Sequence, residues 1–219
     1  MDYGFIKEFA PLYLEAAMLT FRIALIGITG AVIVGLICSF IRYFNIPIFK
    51  KIIGIYIELS RNTPLLIQLF FLYFGLPKLG IMLSSESCAI AGLIFLGGSY
   101  MSEAFRSGLE AVATIQIESG LSIGLTKFQI LKYILLPQAI TISIPAFLAN
   151  TIFLIKETSV FSAVALADLM YVAKDLIGLY YKTDESLLML VISYSIILLP
   201  ISIVFAITER KLRYAGFGN

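Results

Sequence analysis

Residues 103–132 read EAFRSGLEAVATIQIESGLSIGLTKFQILK, and this stretch decides how the rest of the chain is arranged. It holds charged residues and glycines, whereas the sequence on both sides of it is almost continuously apolar. A short turn is enough to connect two membrane-spanning helices. A polar segment of 30 residues therefore indicates more than a connection, and we interpret it as a docking element for another protein.

The composition of the chain excludes a soluble fold. Of its 219 residues, 60% are hydrophobic and 14% are charged, and the mean hydropathy is +0.97. Soluble domains are about half apolar and about a quarter charged. A core of this size cannot bury the excess of apolar side chains, so we predict an all-α integral membrane protein.

Several kinds of chemistry are disfavoured by the residues that the sequence lacks. It contains no histidine, which is the commonest general base and metal ligand. It contains no GxxxxGK[ST] motif for binding ATP, and its net charge of +2 is too small to indicate nucleic acid. Cys38 and Cys88 lie far apart in apolar surroundings, so we expect two buried thiols. We predict no catalytic residue, no metal site and no cofactor bound by this chain.

Five apolar segments are long enough to cross a membrane, which takes roughly 20 residues. They cover residues 12–41, 53–76, 87–105, 128–155 and 187–208 of a single domain, 1–219. An odd number of spans places the two termini on opposite sides of the membrane.

The charges that follow the first and the last span predict the orientation. Bases outnumber acids there, with only Glu209 opposing Arg42, Lys50, Lys51, Arg210, Lys211 and Arg213. The positive-inside rule then places the N-terminus outside and the C-terminus in the cytoplasm. Residues 106–127 become a cytoplasmic loop, and residues 160–180 become an external segment.

The external segment has a helical pattern of its own. Residues 162–177 carry apolar side chains at helical spacing, with Asp168, Lys174 and Asp175 on the opposite side. We expect an interfacial or partly re-entrant helix. It either rests on the bilayer or serves as an outer gate or a platform for an external partner.

The cytoplasmic loop also has helical periodicity. Residues at helical spacing are Leu109, Val112, Ala113, Gln116, Ile117, Gly120 and Leu121. They predict one short amphipathic helix. Gly124 then permits a reversal of the chain, and Thr126 with Gln129 forms a capping-box pattern that starts the next helix. A helix of this kind fits a groove on a soluble partner.

This loop resembles the EAA loop of ABC importer permeases, in which E-A-A is followed after three residues by G and, about ten residues later, by L-P. Glu118-Ser119-Gly120, Gly124 and Leu136-Pro137 stand at those places. The resemblance implies that ATPase subunits bind the loop. The implied coupling residues are Glu110, Val112, Ala113, Gln116, Ile117, Glu118, Ser119, Gly120, Gly124 and Leu125.

The loop departs from the family pattern where Ser119 and Gly120 replace two alanines. Glycine lowers helix propensity by roughly 1 kcal/mol relative to alanine. It also allows another surface to approach closely, so we expect Gly120 to bring the partner nearer to a looser helix.

Four further stretches resemble the transmembrane subunits of importers for polar amino acids. The subfamily patterns R-G-T-P-L-L-x-Q, E-x-x-R-G-G, L-P-Q-A and K-D-T-S-L appear here as RNTPLLIQ (61–68), EAFRSG (103–108), LPQA (136–139) and KETSV (156–160). The resemblance implies a type I ABC importer permease fold in a bacterial inner membrane, surrounded by lipid. The implied partners are ATPase subunits that bind the ATP, an extracytoplasmic amino-acid-binding protein and a second permease subunit, identical or closely related.

Polar residues within the spans mark the substrate path that this resemblance implies, because polar groups are expensive inside a membrane. They are Arg61, Thr63, Gln68, Asn150, Thr151, Glu157, Thr158 and Ser159. Glu157 and Asn150 are candidates to accept the ammonium group of an amino acid. Thr63, Gln68 or Arg61 are candidates to donate to its carboxylate.

Each of these residues also has a structural interpretation. Glu157 has Lys156 or Lys174 as an ion-pair candidate, and Arg61 has Glu58. Asn150 is suited to an interhelical hydrogen bond worth about 1 kcal/mol. Pro137 predicts a kink, which is either a plain bend or a hinge. Thr151 is neutral, which argues against a site for strongly cationic substrates.

Two other functions compete with the importer. An ATP-independent channel or secondary carrier predicts uptake that survives the loss of ATP hydrolysis. An intramembrane enzyme is disfavoured because the chain contains no histidine, and because neither a GxSxG motif nor a pair of acidic residues lies within a predicted span.

Overall fold

The structure is a computed structural model that describes residues 1–216, with side chains as far as Lys211. The side chain of Arg213 lies outside the described residues. All regular structure in this part of the chain is helical, which confirms the all-α prediction. The α-helices are α1 (Tyr3–Tyr43), α2 (Pro47–Arg61), α3 (Leu65–Phe70), α4 (Ser85–Glu110), α5 (Thr114–Ser122), α6 (Lys127–Ile130), α7 (Leu136–Glu157), α8 (Leu169–Tyr180) and α9 (Thr183–Gly216).

Shorter helical segments of other kinds extend or join these helices. A π-helix, Phe71–Gly75, and a 3-10 helix, Leu76–Leu79, continue α3. A second π-helix, Leu131–Leu135, joins α6 to α7 directly before Pro137. The chain accommodates this proline by widening the preceding turn, and the helix runs on through it. A 3-10 helix, Thr158–Val164, follows α7.

Among the described residues, four helical segments are long and apolar enough to cross a membrane. They are Tyr3–Tyr43, Ser85–Glu110, Lys127–Val164 and Thr183–Lys211, and Leu65–Leu79 is a shorter apolar segment.

The structure divides the predicted span 53–76 between α2 and α3. Pro64 lacks an N–H and disfavours the helical conformation at Thr63, so the helix stops at Arg61. The amide Nε2 of Gln68 donates to the carbonyl oxygens of Ser60 (3.0 Å) and Thr63 (2.9 Å), which the break leaves without helical partners. The break is therefore a stable feature of the fold.

Helix α4 is the centre of the bundle because small residues let its neighbours approach to backbone contact. A Cβ at Gly35 of α1 would lie 2.9 Å from the carbonyl carbon of Met101, and a Cβ at Gly108 would lie 2.5 Å from the carbonyl oxygen of Ala139 on α7. Close packing of this kind replaces the hydrophobic effect as the force that joins helices in lipid. The buried core beside α4 includes Ile23, Leu69, Leu93, Leu154 and Phe161.

The external segment is built differently from its prediction as one helix over 162–177. The 3-10 helix ends at Val164, Ala165 follows it with a φ of 56°, and α8 starts only after Asp168. Asp168 is completely buried, so its predicted place on a polar face is wrong. Its Oδ1 accepts a hydrogen bond from the Tyr171 N–H (2.9 Å) and caps α8. One face of α8 packs on α1 and α9, through a cluster that includes Tyr13, Val172 and Met189.

Candidate functional site

The loop over residues 106–127 begins with a turn that the sequence did not predict. Helix α4 ends at Glu110 and α5 begins at Thr114, so the prediction of a single helix through residues 109–121 is wrong. Leu109 and Val112 are both 5% exposed and pack against Leu135 and Ala139. Burial of Val112 bends the chain, and that side chain anchors the loop instead of presenting a surface.

Helix α5 ends in a Schellman motif that reverses the chain. The N–H of Leu125 donates to the carbonyl of Gly120 (3.0 Å), and the N–H of Gly124 donates to that of Leu121 (3.0 Å). Gly124 has a φ of 85°, a conformation that disfavours any side chain. The next helix starts with the predicted capping box of Thr126 and Gln129. The loop geometry is thus fixed by local hydrogen bonds.

Gly120 faces the interior of the protein and not the exposed surface of the loop. A Cβ there would lie 3.0 Å from Cγ1 of Ile130 and 3.1 Å from Cδ1 of Ile134. The expectation that Gly120 lets a partner approach is therefore wrong, because the close approach is between α5 and the segment that joins α6 to α7. The side chain of Gln138 adds a second link, since its Nε2 donates to Oε1 of Gln116 (2.5 Å).

Apolar side chains on this unit remain uncovered. Ile115, Ile123, Phe128 and Tyr133 are between 62% and 76% exposed, and together with Glu118 we call them the loop surface. The other predicted coupling residues vary in exposure. Glu110, Ala113, Gln116, Ser119 and Gly124 are exposed, Ile117 and Leu125 are half-buried, and Val112 and Gly120 are buried. Ile115, Ile123 and Tyr133 line one shared groove, and exposed apolar side chains grouped in this way are typical of a binding interface.

An ionic network holds the end of α4 from which the loop emerges. Glu103 pairs with Arg42 of α1 and with Arg106 (2.7 Å), and Arg106 also pairs with Glu110 (2.5 Å). The chain of charge-assisted hydrogen bonds ties α1 to α4. Motion of the loop is thereby linked to both helices.

The first group of predicted path residues lies at the break between α2 and α3. Thr63 and Gln68 line a cavity of ≈ 650 Å³ whose walls include Leu59, Phe71 and Phe95. Gln68 is buried, and its Oε1 has no hydrogen-bond partner. One unpaired acceptor is therefore buried at the edge of a mostly apolar cavity.

Tyr100 of α4 joins the first group to the second, and the sequence did not single it out. The guanidinium carbon of Arg61 lies 5.0 Å from the centroid of the Tyr100 ring, while Glu58 accepts a hydrogen bond from Asn62 (3.0 Å) in place of the predicted pairing with Arg61. The amide of Asn150 donates to the Tyr100 carbonyl (3.2 Å). Nothing in the sequence distinguishes this tyrosine from the other aromatic residues.

The remaining path residues lie on α7 and just beyond it. The hydroxyl group of Thr151 donates to the carbonyl of Phe147 (2.9 Å) within α7. The hydroxyl group of Thr158, at the start of the 3-10 helix, donates to the carbonyl of Ile155 in α7 (2.7 Å) and lies 3.4 Å from the hydroxyl of Tyr194 in α9. Glu157 is half-buried, as is Ser159. Among the ion pairs of the described residues, none joins Glu157 to Lys156 or Lys174.

Asp168 is the most perturbed carboxyl group outside the spans. Burial raises its pKa from the ordinary 3.8 to about 7, against the lowering effect of the N–H groups that cap onto it. Its Oδ2 is buried without a hydrogen-bond partner. The side chain therefore changes charge near neutral pH.

The chain is similar to known membrane transport proteins. Residues 31–214 match the family described as binding-protein-dependent transport system inner membrane component. The chain is 34% identical over 215 residues to the probable amino-acid permease protein YxeN of Bacillus subtilis, covering 97% of this chain and 96% of that one. It is 28% identical over 214 residues to the glutamine transport system permease protein GlnP of Escherichia coli, covering 97% and 98%.

A solved structure is also similar. The crystal structure of an amino acid ABC transporter with histidines has a chain that superposes with a TM-score of 0.90 at 27% identity, covering 96% of this chain and 99% of that one.

Proposed function

We infer the function of this chain from the family to which it belongs, the binding-protein-dependent transport system inner membrane components. The chain is the membrane-spanning permease subunit of an ABC importer, with a type I importer permease fold, in a bacterial inner membrane.

The substrate we propose is a polar amino acid. Relatives along the whole chain are named as amino-acid and glutamine permeases, and the polar groups described above supply suitable partners. Glu157 would accept the ammonium group, and the amide of Gln68 would orient the substrate at the cavity beside α3. Arg61 would attract the carboxylate from its place over the Tyr100 ring.

The loop surface is the proposed docking site for the ATPase subunits, and its exposed apolar residues on a rigidly capped unit are the observation that carries this proposal. ATP would bind to those subunits, and this chain would take no part in the hydrolysis. Closure of the ATPases would move α5 as a lever, and the links through Gly120 and Gln138 would pass the movement to α7. An external binding protein would deliver the amino acid, and a second permease subunit would complete the path.

Gly124→Val tests the coupling step. The backbone at Gly124 has a φ of 85°, and valine tolerates that conformation poorly. We expect the loop to distort, with at least a tenfold loss of uptake and of ATPase subunits recovered with the purified chain. Glu118→Lys, which reverses an exposed charge on the loop surface, should weaken the same association.

Gly80→Val is the matched control, because Gly80 has a nearly identical φ of 83° with open space around it, directly after the 3-10 helix Leu76–Leu79. It carries the same backbone strain at the other end of the bundle and should leave ATPase recovery unchanged. Normal recovery and uptake in both Gly124→Val and Glu118→Lys would refute the docking site. Uptake that persists without ATP hydrolysis would support the ATP-independent carrier.

A further inference from the structure

Helix α2 presents an outer face that the rest of the described chain leaves uncovered. Its buried residues, Ile53, Ile57 and Ser60, pack towards α1 and α4. On the outer side an apolar stripe of Ile48, Ile52, Ile55 and Leu59 is between 55% and 75% exposed. The spacing of this stripe is helical, so it forms one continuous surface along the helix.

Two lysines stand at the start of this face without carboxylate partners. Lys50 and Lys51 are exposed, and Lys50 donates only to the neutral side chain of Asn45 (2.7 Å). Residues 16–57 contain no Asp or Glu, and no ion pair of the described residues includes either lysine. The beginning of α2 is therefore a site of uncompensated positive charge.

A shallow groove of ≈ 610 Å³ runs from these lysines along the apolar stripe, and Gly54 leaves it open because no atom lies within 4 Å of a Cβ there. Lys51 and Leu59 are eight residues apart, which is about 12 Å along a helix. Glu58 at the far end is hydrogen-bonded to Asn62. The groove thus has a cationic end and an apolar length.

We propose that this groove binds an anionic phospholipid of the cytoplasmic leaflet, the side on which the positive-inside rule places Lys50 and Lys51. The phosphate group contacts the two lysines, and an acyl chain lies along Gly54 and Leu59. Basic residues at the membrane surface attract anionic lipids, and an apolar face beside them accepts the chain. The proposal depends on membrane insertion and not on the substrate or the ATPase.

A tryptophan reporter tests the lipid directly, because the chain contains no tryptophan of its own. Ile55→Trp places one in the groove of the full-length protein, reconstituted in vesicles of equal parts phosphatidylcholine and phosphatidylglycerol. Two preparations are compared, one with brominated acyl chains on phosphatidylcholine and one with brominated acyl chains on phosphatidylglycerol. Bromine quenches tryptophan fluorescence on contact. We expect brominated phosphatidylglycerol to quench about fivefold more effectively, since one lysine near the surface contributes about that factor.

Lysine variants and a second reporter make the result specific. In the Ile55→Trp protein, the stronger quenching by phosphatidylglycerol should disappear when Lys50→Gln and Lys51→Gln are combined. It should persist when Lys50→Arg and Lys51→Arg are combined. Phe21→Trp is the control reporter, because Phe21 is 46% exposed beside Arg22, whose charge is paired with Glu86 at 2.7 Å. It should show no preference between the two lipids.

Two results would overturn the proposal. A preference that survives both glutamine substitutions would show that the lysines do not hold the lipid. Absence of quenching by either lipid at position 55 would show that protein, such as a second copy of the chain, covers the face.

Discussion

The loop that carries the loop surface differs from the inside of the bundle in which polar groups form hydrogen bonds. In the loop, backbone groups are paired by the Schellman motif at Gly124 and the capping box at Thr126, while apolar side chains remain exposed. Inside the bundle, polar side chains are the ones that are paired, mostly with carbonyl groups, as Asn150 and Thr151 are. The loop surface is therefore apolar and held by its own hydrogen bonds, whereas most polar side chains inside the bundle already have partners within the protein.

This contrast narrows the candidates for the substrate path. Polar atoms that lack a partner are more available for a ligand than those that already hold a carbonyl. By that criterion Gln68, through its Oε1, and Glu157, which has none of its anticipated lysine partners, stand ahead of Thr151 and Thr158. If this criterion holds, substitution of an unpaired polar group should reduce uptake more than substitution of a paired one.

The largest effect is expected at Asp168, the carboxyl group that is most completely buried. Its pKa in the folded protein, about 7, lies above the unfolded value of 3.8, so the folded state binds the proton more tightly. Stability from this residue is complete below pH 4 and is lost as the pH rises through 7. Asp168→Asn stays neutral and still caps α8. At pH 8 it should be more stable than the wild type, by up to about 4 kcal/mol.

The apparent unfolding midpoint in detergent, followed by circular dichroism at pH 5 and pH 8, measures this difference. The gain of Asp168→Asn over the wild type should grow between the two pH values. Asp175→Asn, at an exposed position on the same helix, should show no such growth. An equal difference at both pH values would mean that Asp168 stays ionised throughout.

Glu157→Gln probes the carboxylate that we propose for the substrate path. Removing the charge while keeping the shape should reduce amino acid uptake by about 10- to 100-fold, since a charged hydrogen bond to a substrate contributes about 1.5–3 kcal/mol. Recovery of ATPase subunits should not change, because Glu157 is remote in sequence and structure from the loop surface. Uptake within twofold of the wild type would assign Glu157 a structural role.

Much of the fold follows from local sequence signals. Helical runs, the capping box at Thr126 and the reversal at Gly124 each depend on a few neighbouring residues, and each appears in the structure. The break before Pro64 could also have been predicted locally, because proline disfavours a helical conformation at the residue before it. The apolar residues on both sides favoured one continuous span instead. Charge-based orientation remains a prediction, because the helices alone do not show which side faces the cytoplasm.

The site was harder to predict because its contacts join residues far apart in the chain. Helical spacing placed Val112 and Gly120 on an outward face, and only the packing of Leu135 and Ile130 shows that both point inward. Tyr100 carries no sequence signal, since its role depends on Arg61 and Asn150 meeting it from two other elements. The helical pattern over residues 162–177 placed Asp168 on the polar side. In the structure α8 begins only at Leu169, so helical spacing does not apply to Asp168.

Asn150→Ala should have the smallest effect and separates the two interpretations of this residue most cleanly. Its amide holds α7 to the Tyr100 carbonyl on α4, and an interhelical hydrogen bond of this type contributes about 1 kcal/mol. We expect a small fall in the unfolding midpoint and a reduction of uptake of no more than about fivefold. Thr151→Val is the control, because the hydroxyl it removes binds only within α7. If uptake instead falls far more while the midpoint is unchanged, Asn150 binds substrate, and a paired polar group is then no less functional than a free one.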